Sequence, residues 1–125
     1  MSVDIRVEIK NLKQIREALA KSPRIVSEYM NRAIRASIFE IERATIPITP
    51  VDTGRLRGSF ERSFGLLRGE IYPTVDYAIY VHEGTRYMAA RPYLAQGVET
   101  ANQDIQRHFE QELENALEAI AREAR

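Results

Sequence analysis

Residues 23–46 read PRIVSEYMNRAIRASIFEIERATI. Within them Ile25, Val26, Tyr29, Met30, Ala33, Ile34, Ser37, Ile38, Ile41 and Ala44 or Thr45 recur at spacings of three and four, which makes one face of about six helical turns apolar. Ser22 suits an N-cap, Pro23 suits the first helical position, and Pro47 and Pro50 close the helix. An apolar stripe of that length needs a partner. The sequence supplies one from Tyr93 onward, where Leu94, Val98, Ala101, Ile105, Phe109, Leu113, Ala116 or Leu117, and Ile120 keep the same period. This second helix, of some thirty residues and about 45 Å at 1.5 Å per residue, is longer than a chain of this size covers end to end. Its far end carries Glu110, Glu112, Glu114, Glu118 and Glu123, and is expected to project or to pack on a neighbour.

The rest of the chain reads around these two helices. Val3, Ile5, Val7 and Ile9 alternate with Asp4, Arg6, Glu8 and Lys10, the period of a half-buried strand. Asn11 is placed to cap a short helix with Leu12, Ile15 and Leu19 on one stripe, ending near Ser22-Pro23. Residues 47–58 hold two prolines and two glycines and read as a loop, then a helical turn capped by Asp52 or Thr53. Phe60 to Phe64 and Glu70 to Val75 read as a hairpin with Gly65 and Gly69 bracketing its turn. Residues 76–83 fit a strand or a helical turn equally well. The expectation is a single α+β domain spanning residues 1–125. A small antiparallel sheet of three or four strands, the first strand beside the hairpin, would carry the two long helices on one face.

Composition narrows the function. The chain has 125 residues, 44% hydrophobic and 29% charged, with five prolines and no cysteine, an ordinary globular make-up that excludes disulfides, thiolate nucleophiles and Cys-ligated zinc. The N-terminus lacks a signal peptide's continuous apolar core, and no stretch approaches the roughly 20 apolar residues of a membrane span, so a soluble protein with no membrane partner is expected. Net charge is zero, but residues 1–69 carry 13 Lys and Arg against 8 Asp and Glu, whereas residues 99–125 carry 3 against 7. Such polarity can guide head-to-tail contacts.

Reactive groups are few. His82 and His108 are the only histidines and form no His-Glu-x-x-His pattern. The glycines form neither a Walker loop nor a dinucleotide fingerprint, and Ser59 and Ser63 lack a hydrolase's nucleophile elbow. No catalytic residue, cofactor or metal is expected. Arg55, Arg57, Arg62 and Arg68 near Phe60 and Phe64 keep a nucleic-acid-binding accessory protein as the alternative reading, since arginines with aromatics serve on single strands, although the neutral total charge argues against it. Aromatic placement favours a protein interface. Tyr72, Tyr77, Tyr80, Tyr87 and Tyr93 put five of six tyrosines into 22 residues, with Arg86, Met88 and Arg91 among them. Tyr77, Tyr80, Arg86, Tyr87 and Met88 are the interface candidates.

Three blocks occur in order within 46 residues: Thr49-Pro50-Val51-Asp52-Thr53-Gly54-Arg55-Leu56-Arg57, Val75-Asp76-Tyr77-Ala78-Ile79-Tyr80-Val81-His82-Glu83-Gly84-Thr85, and Ala90-Arg91-Pro92-Tyr93-Leu94. Together they resemble the phage gene-product-ten-like family of neck and minor tail proteins, related to tail-completion proteins. Asp52, Thr53, Gly54 and Leu56 match the family's Pro-x-Asp-Thr-Gly-x-Leu pattern. Tyr77, Ala78, Tyr80, Val81, Gly84 and Thr85 match its second block, and Arg91, Pro92 and Tyr93 its third. His82 stands where an acidic or variable residue is common. The resemblance implies a compact, non-catalytic virion protein that forms rings, often hexameric, at the head-tail junction or tail terminus. Its implied partners are copies of itself and the connector and tail-tube proteins, with at most non-specific contact to DNA passing through a lumen. It implies assembly in the host cytoplasm and a final place in the virion. Locally, the same residues are fold determinants: Gly54 for tight backbone packing, Asp52 or Thr53 for open amides, and Arg91-Pro92 for the start of the last helix.

Overall fold

The computed structural model describes residues 5–51 and 54–124. Helix α1 spans Leu12–Lys21 and α2 spans Pro23–Thr45, with Pro23 in its first turn as its fixed φ requires. A 3-10 turn, Ile46–Ile48, carries the chain off α2, and a second, Arg57–Ser59, leads into strand β1, Phe60–Gly65. Strand β2, Arg68–Pro73, returns antiparallel. Helix α3, Ala78–Glu83, and helix α4, Tyr93–Glu123, complete the order. The segment left open between strand and helix is therefore helical, because Ala78 and His82 are the residues buried, one turn apart.

The molecule is built on the antiparallel pairing of α2 with α4. One core gathers Ile41, Leu56, Ala78, Tyr93, Leu94, Ala101 and Ile105, and the other gathers Ile15, Ala18, Val26, Met30, Leu113 and Ala116. Gly97 is a point of close approach, for a methyl group there would stand 1.9 Å from Thr45 Oγ1 and 2.8 Å from Thr45 Cβ. The far end of α4 does not project. Helix α1 and the start of α2 cover it, and Arg24 reaches Glu123 at 3.0 Å. Part of the charge asymmetry is thus folded onto itself, basic start against acidic end.

Among the described residues the sheet has two strands, not three or four. Ile5, Val7 and Ile9 do turn inward and pack against the first core while Arg6, Glu8 and Lys10 face out, as the alternation requires, but Ile5–Ile9 join no ladder. Val3 and Asp4 lie outside the described residues. An open cavity of about 790 Å³ is lined by Ile5, Val7 and Ile9 on one side and by residues 67–72 on another, so the segment stands off β2. Its backbone is held by a side chain instead: Gln106 Nε2 donates to the Glu8 carbonyl at 2.7 Å, and the Lys10 amide donates to Gln106 Oε1 at 2.9 Å. The hairpin's residues also shift slightly. Gly65 pairs with Arg68, which leaves Leu66 and Leu67 as the turn, and Gly69 lies instead where β2 meets α2, its missing side chain replaced by Ile34 Cγ2 at 2.7 Å.

Neither expected cap forms. Asn11 and Ser22 make no side-chain cap bond, and Asn11 Oδ1 is buried without a partner among the described residues. Asp52 and Thr53, the proposed caps of the later turn, lie outside the described residues.

Candidate functional site

The second and third blocks fold into one structure around α3. Tyr93, 1% exposed, is the largest fully buried side chain, and its hydroxyl donates to the Ala78 carbonyl at 3.0 Å. Phe60 and His82 meet its ring edge-on at 6.2 and 5.1 Å. Burial pushes the Tyr93 hydroxyl up to about 12, because the phenolate would be stranded from water. His82, buried, places Nδ1 2.8 Å from Glu83 and accepts the Ala95 amide through Nε2 at 3.3 Å. Pro92 precedes α4 and no side-chain cap bond is made there, so this imidazole satisfies an open amide in the helix's first turn from outside. Its role is structural.

Gly84 ends α3 with φ +80, and a methyl group there would stand 2.7 Å from the Ala90 nitrogen. The left-handed backbone and the returning chain both demand glycine. Thr85 and Met88 form an isolated antiparallel bridge, and the Arg91 amide donates to the Val81 carbonyl at 3.0 Å. Residues 84–92 are consequently a pinned loop that carries its side chains outward. Tyr87 is 87% exposed with Arg86 stacked on it at 5.2 Å, and Met88 is 41% exposed. Tyr80, on α3, is half exposed. Tyr77 differs, being partly buried against the first core with Arg55 over its ring at 5.6 Å.

In the first block Leu56 is a core residue, 4% exposed. Gly54 has φ +78, a conformational requirement for glycine, and among the described residues nothing lies within 4 Å of where its Cβ would be. Arg57 staples the loop, donating to the carbonyls of Thr49 at 2.8 Å and Pro47 at 2.7 Å.

The arginine cluster suggested for nucleic acid is dispersed. Arg57 is spent on backbone carbonyls, Arg68 pairs with Glu70, which raises its pKa by hydrogen bonding and charge, and Phe60 faces Tyr93 in the core. Arg62 instead lies over Phe39 at 4.5 Å and pairs with Glu42 at 3.3 Å. Beside it Arg35 lies over Phe64 at 4.3 Å, and the Phe39 and Phe64 rings are 6.3 Å apart. This band across α2 and β1 was not assembled from sequence. Its signal was Phe39, an aromatic residue off the apolar stripe of α2. Among the described residues no group of three His, Cys, Asp or Glu side chains could hold a metal, and no helix is long and apolar enough to cross a membrane.

A family model described as "Bacteriophage HK97-gp10, putative tail-component" matches residues 13–84, more than half of the chain. The chain belongs to this HK97-gp10-like family. Its members are phage structural tail components and not enzymes. The match to the HK97-gp10-like model runs from α1 to Gly84 and takes in the first two blocks up to the glycine that ends α3, while the Arg91-Pro92 step and α4 lie beyond it. No curated protein and no solved structure matches the chain.

Proposed function

We propose that the protein is a ring-forming adaptor, acting as one domain at the head-tail junction or the tail terminus and binding copies of itself and adjacent connector or tail-tube proteins. The observation that carries this reading is the pinned loop at residues 84–92. Tyr87 is 87% exposed there while the backbone beneath it is held by the Thr85–Met88 bridge and by Arg91 on Val81. An exposed tyrosine and arginine on a fixed backbone lose little freedom on binding, which is the composition and rigidity of an interface hot spot. Tyr80 and Met88, both exposed, belong to the same proposed surface, with Tyr77 as a further, partly buried candidate. Asp52, Thr53, Gly54, Leu56, Gly84, Thr85, Arg91 and Pro92 shape the fold that presents it.

The test combines a virion reconstruction with two substitutions. A ring of this protein is expected at the junction or tail terminus. Arg86→Ala and Tyr87→Ala are expected to leave thermal stability within about 1 kcal/mol while failing to complement a phage lacking the gene. Absence of the protein from both locations rejects the adaptor, and full complementation by both variants moves the interface off the loop.

A further inference from the structure

Both lips of the open cavity beside β2 are backbone without a partner. Strand β2 runs in the direction of α2, for the Leu67 amide donates to Asn31 Oδ1 at 2.7 Å, Gly69 lies against Ile34 and Ile38, and Ile71 packs on the first core. Ile5–Ile9 runs the other way, since Ile5 packs on the first core alone and Ile9 on both. The two segments therefore face each other antiparallel across the cavity. Gly65 and Arg68 flank a two-residue turn and form a hydrogen-bonded pair, so by alternation Arg68, Glu70 and Tyr72 turn their backbone groups to β1, while Gly69 and Ile71 turn theirs to the cavity. On the other lip the Glu8 carbonyl and Lys10 amide turn to Gln106, which leaves those of Ile5 and Val7 facing the cavity. Among the described residues none of these four has a backbone partner on that side. The floor between the lips is apolar, and Ile34, Val98 and Phe109 are only half-buried there.

We infer that this groove takes an extended segment of a neighbouring protein as an added strand, hydrogen bonded to β2 on one side and to Ile5–Ile9 on the other. The size is that of one strand. Five residues at about 3.4 Å each, with about 4.8 Å of strand spacing and about 10 Å of depth, fill about 800 Å³, and the cavity measures about 790 Å³. Capture of a peptide on an open strand edge draws affinity from main-chain bonds and specificity from alternate side chains. The lips also select the occupant. With Ile5 level with Ile71 and Ile9 level with Leu67, Arg6 stands level with Glu70 and Glu8 with Arg68 on the outer face. Arg68 and Glu70 already pair with each other. A charged residue in the added strand would meet one like and one unlike neighbour at each level and gain nothing. The segment that fits is therefore apolar at alternate positions and uncharged between them. Ile5–Ile9 of a second copy has the apolar positions but carries Arg6 and Glu8 between them, so the occupant is a different protein. This inference rests on the reading that the protein binds adjacent virion proteins. No lining residue of the groove comes from the loop at 84–92, so the test of that loop is separate.

The experiment is amide hydrogen exchange on the purified full chain, with and without about 1 mM of the end-blocked peptide Gly-Thr-Val-Thr-Val-Thr-Val-Thr-Gly. In the free protein the amides of Ile5, Val7, Gly69 and Ile71 are expected to exchange faster than those of Arg68 and Glu70, which are bonded to β1. The peptide should slow all four by at least about tenfold, on both lips together. The same peptide methylated on its three valine nitrogens keeps every side chain but loses the donors toward one lip, and should bind at least about tenfold more weakly. Four amides already slow in the free protein would show the lips paired with each other. Slowing that follows protein concentration without peptide would show a second copy in the groove, and equal binding of the methylated peptide would show a purely apolar site. Each of these overturns the inference, as does a peptide that protects nothing. A ring found at the junction or tail terminus despite such a result keeps the adaptor reading and removes only the groove from it.

Discussion

Gly97→Ala tests the helix pair on which the fold is built. In an isolated helix this change is favourable by up to about 1 kcal/mol, because alanine is the better helix former. Here the new methyl group would stand 1.9 Å from Thr45 Oγ1, 2.8 Å from its Cβ and 3.0 Å from its Cα. The hydroxyl can rotate aside, but Cβ and Cα move only with α2 itself. Overpacking of that kind costs on the order of 1–3 kcal/mol, and contact with atoms that cannot rotate belongs at the upper end. Steric cost therefore outweighs propensity, for a net loss of about 2 kcal/mol and a melting temperature lower by about 6–10 °C in a chain of this length. Thermal and urea unfolding of Gly97→Ala, Thr45→Gly and the double variant would measure it. Thr45→Gly removes the obstructing Cβ, so the double variant should be more stable than the sum of the two single losses, with a coupling of about 1–2 kcal/mol. A Gly97→Ala protein that melts at or above wild type would refute the reasoning, because propensity would then have decided.

Three further outcomes follow from the surroundings of α3. Gly84→Ala should lose about 2–4 kcal/mol in denaturant unfolding, since φ +80 and the Ala90 nitrogen at 2.7 Å act together; a loss below about 0.5 kcal/mol would show that the loop re-forms freely. His82→Ala should cost about 1–3 kcal/mol by stranding the Ala95 amide, and His82→Gln, which keeps an acceptor, should cost less, with the same melts deciding. In an alkaline titration followed by phenolate absorbance, exposed tyrosines should ionise near pH 10 and Tyr93 last, at about 12. A folded-state value above the unfolded one stabilises fully below pH 10 and is lost as pH rises toward 12, so Tyr93→Phe should flatten that alkaline decline.

Periodicity made the long helices legible. The stripes of α2 and α4 were read to within a residue or two, because a buried face on a long helix repeats often enough to stand out. At position 116 or 117 the stripe alone could not choose: Ala116 is fully buried and Leu117 is half exposed. The small residue won because α2 and α4 approach closely. Strand alternation in Ile5–Ile9 correctly gave which side chains turn inward, yet it carries no information about a backbone partner, and here Gln106 takes that place. The cover on the end of α4 is not legible in the stripe of α1, because Leu12, Ile15 and Leu19 mark a face to be buried without marking what buries it. For the candidate surface, exposure of Tyr87 and Met88 agreed with their place between elements, whereas Tyr77 sits partly in the core, as tyrosine's apolar ring allows. The Arg35–Phe64 and Arg62–Phe39 stacks join residues more than twenty positions apart, which no local pattern reveals.

Gln106 has a consequence in time as well as in space. It bridges Glu8 and Lys10 across nearly a hundred positions of sequence, and Leu113 and Ala116 close the core over Ile15 and Ala18 across a comparable distance. Ile15 and Ala18 can meet Val26 and Met30 early, but the backbone of Glu8 and Lys10 lacks its side-chain bridge until Gln106 has been made, since long-range contacts form only when both parties exist. A nascent chain that stops short of α4 lacks Tyr93, Leu94, Ala101 and Ile105 of the first core and Leu113 and Ala116 of the second. Helix α4 thus makes late contacts a condition for closing both cores, and a chain without it is left with the apolar stripe of α2 uncovered.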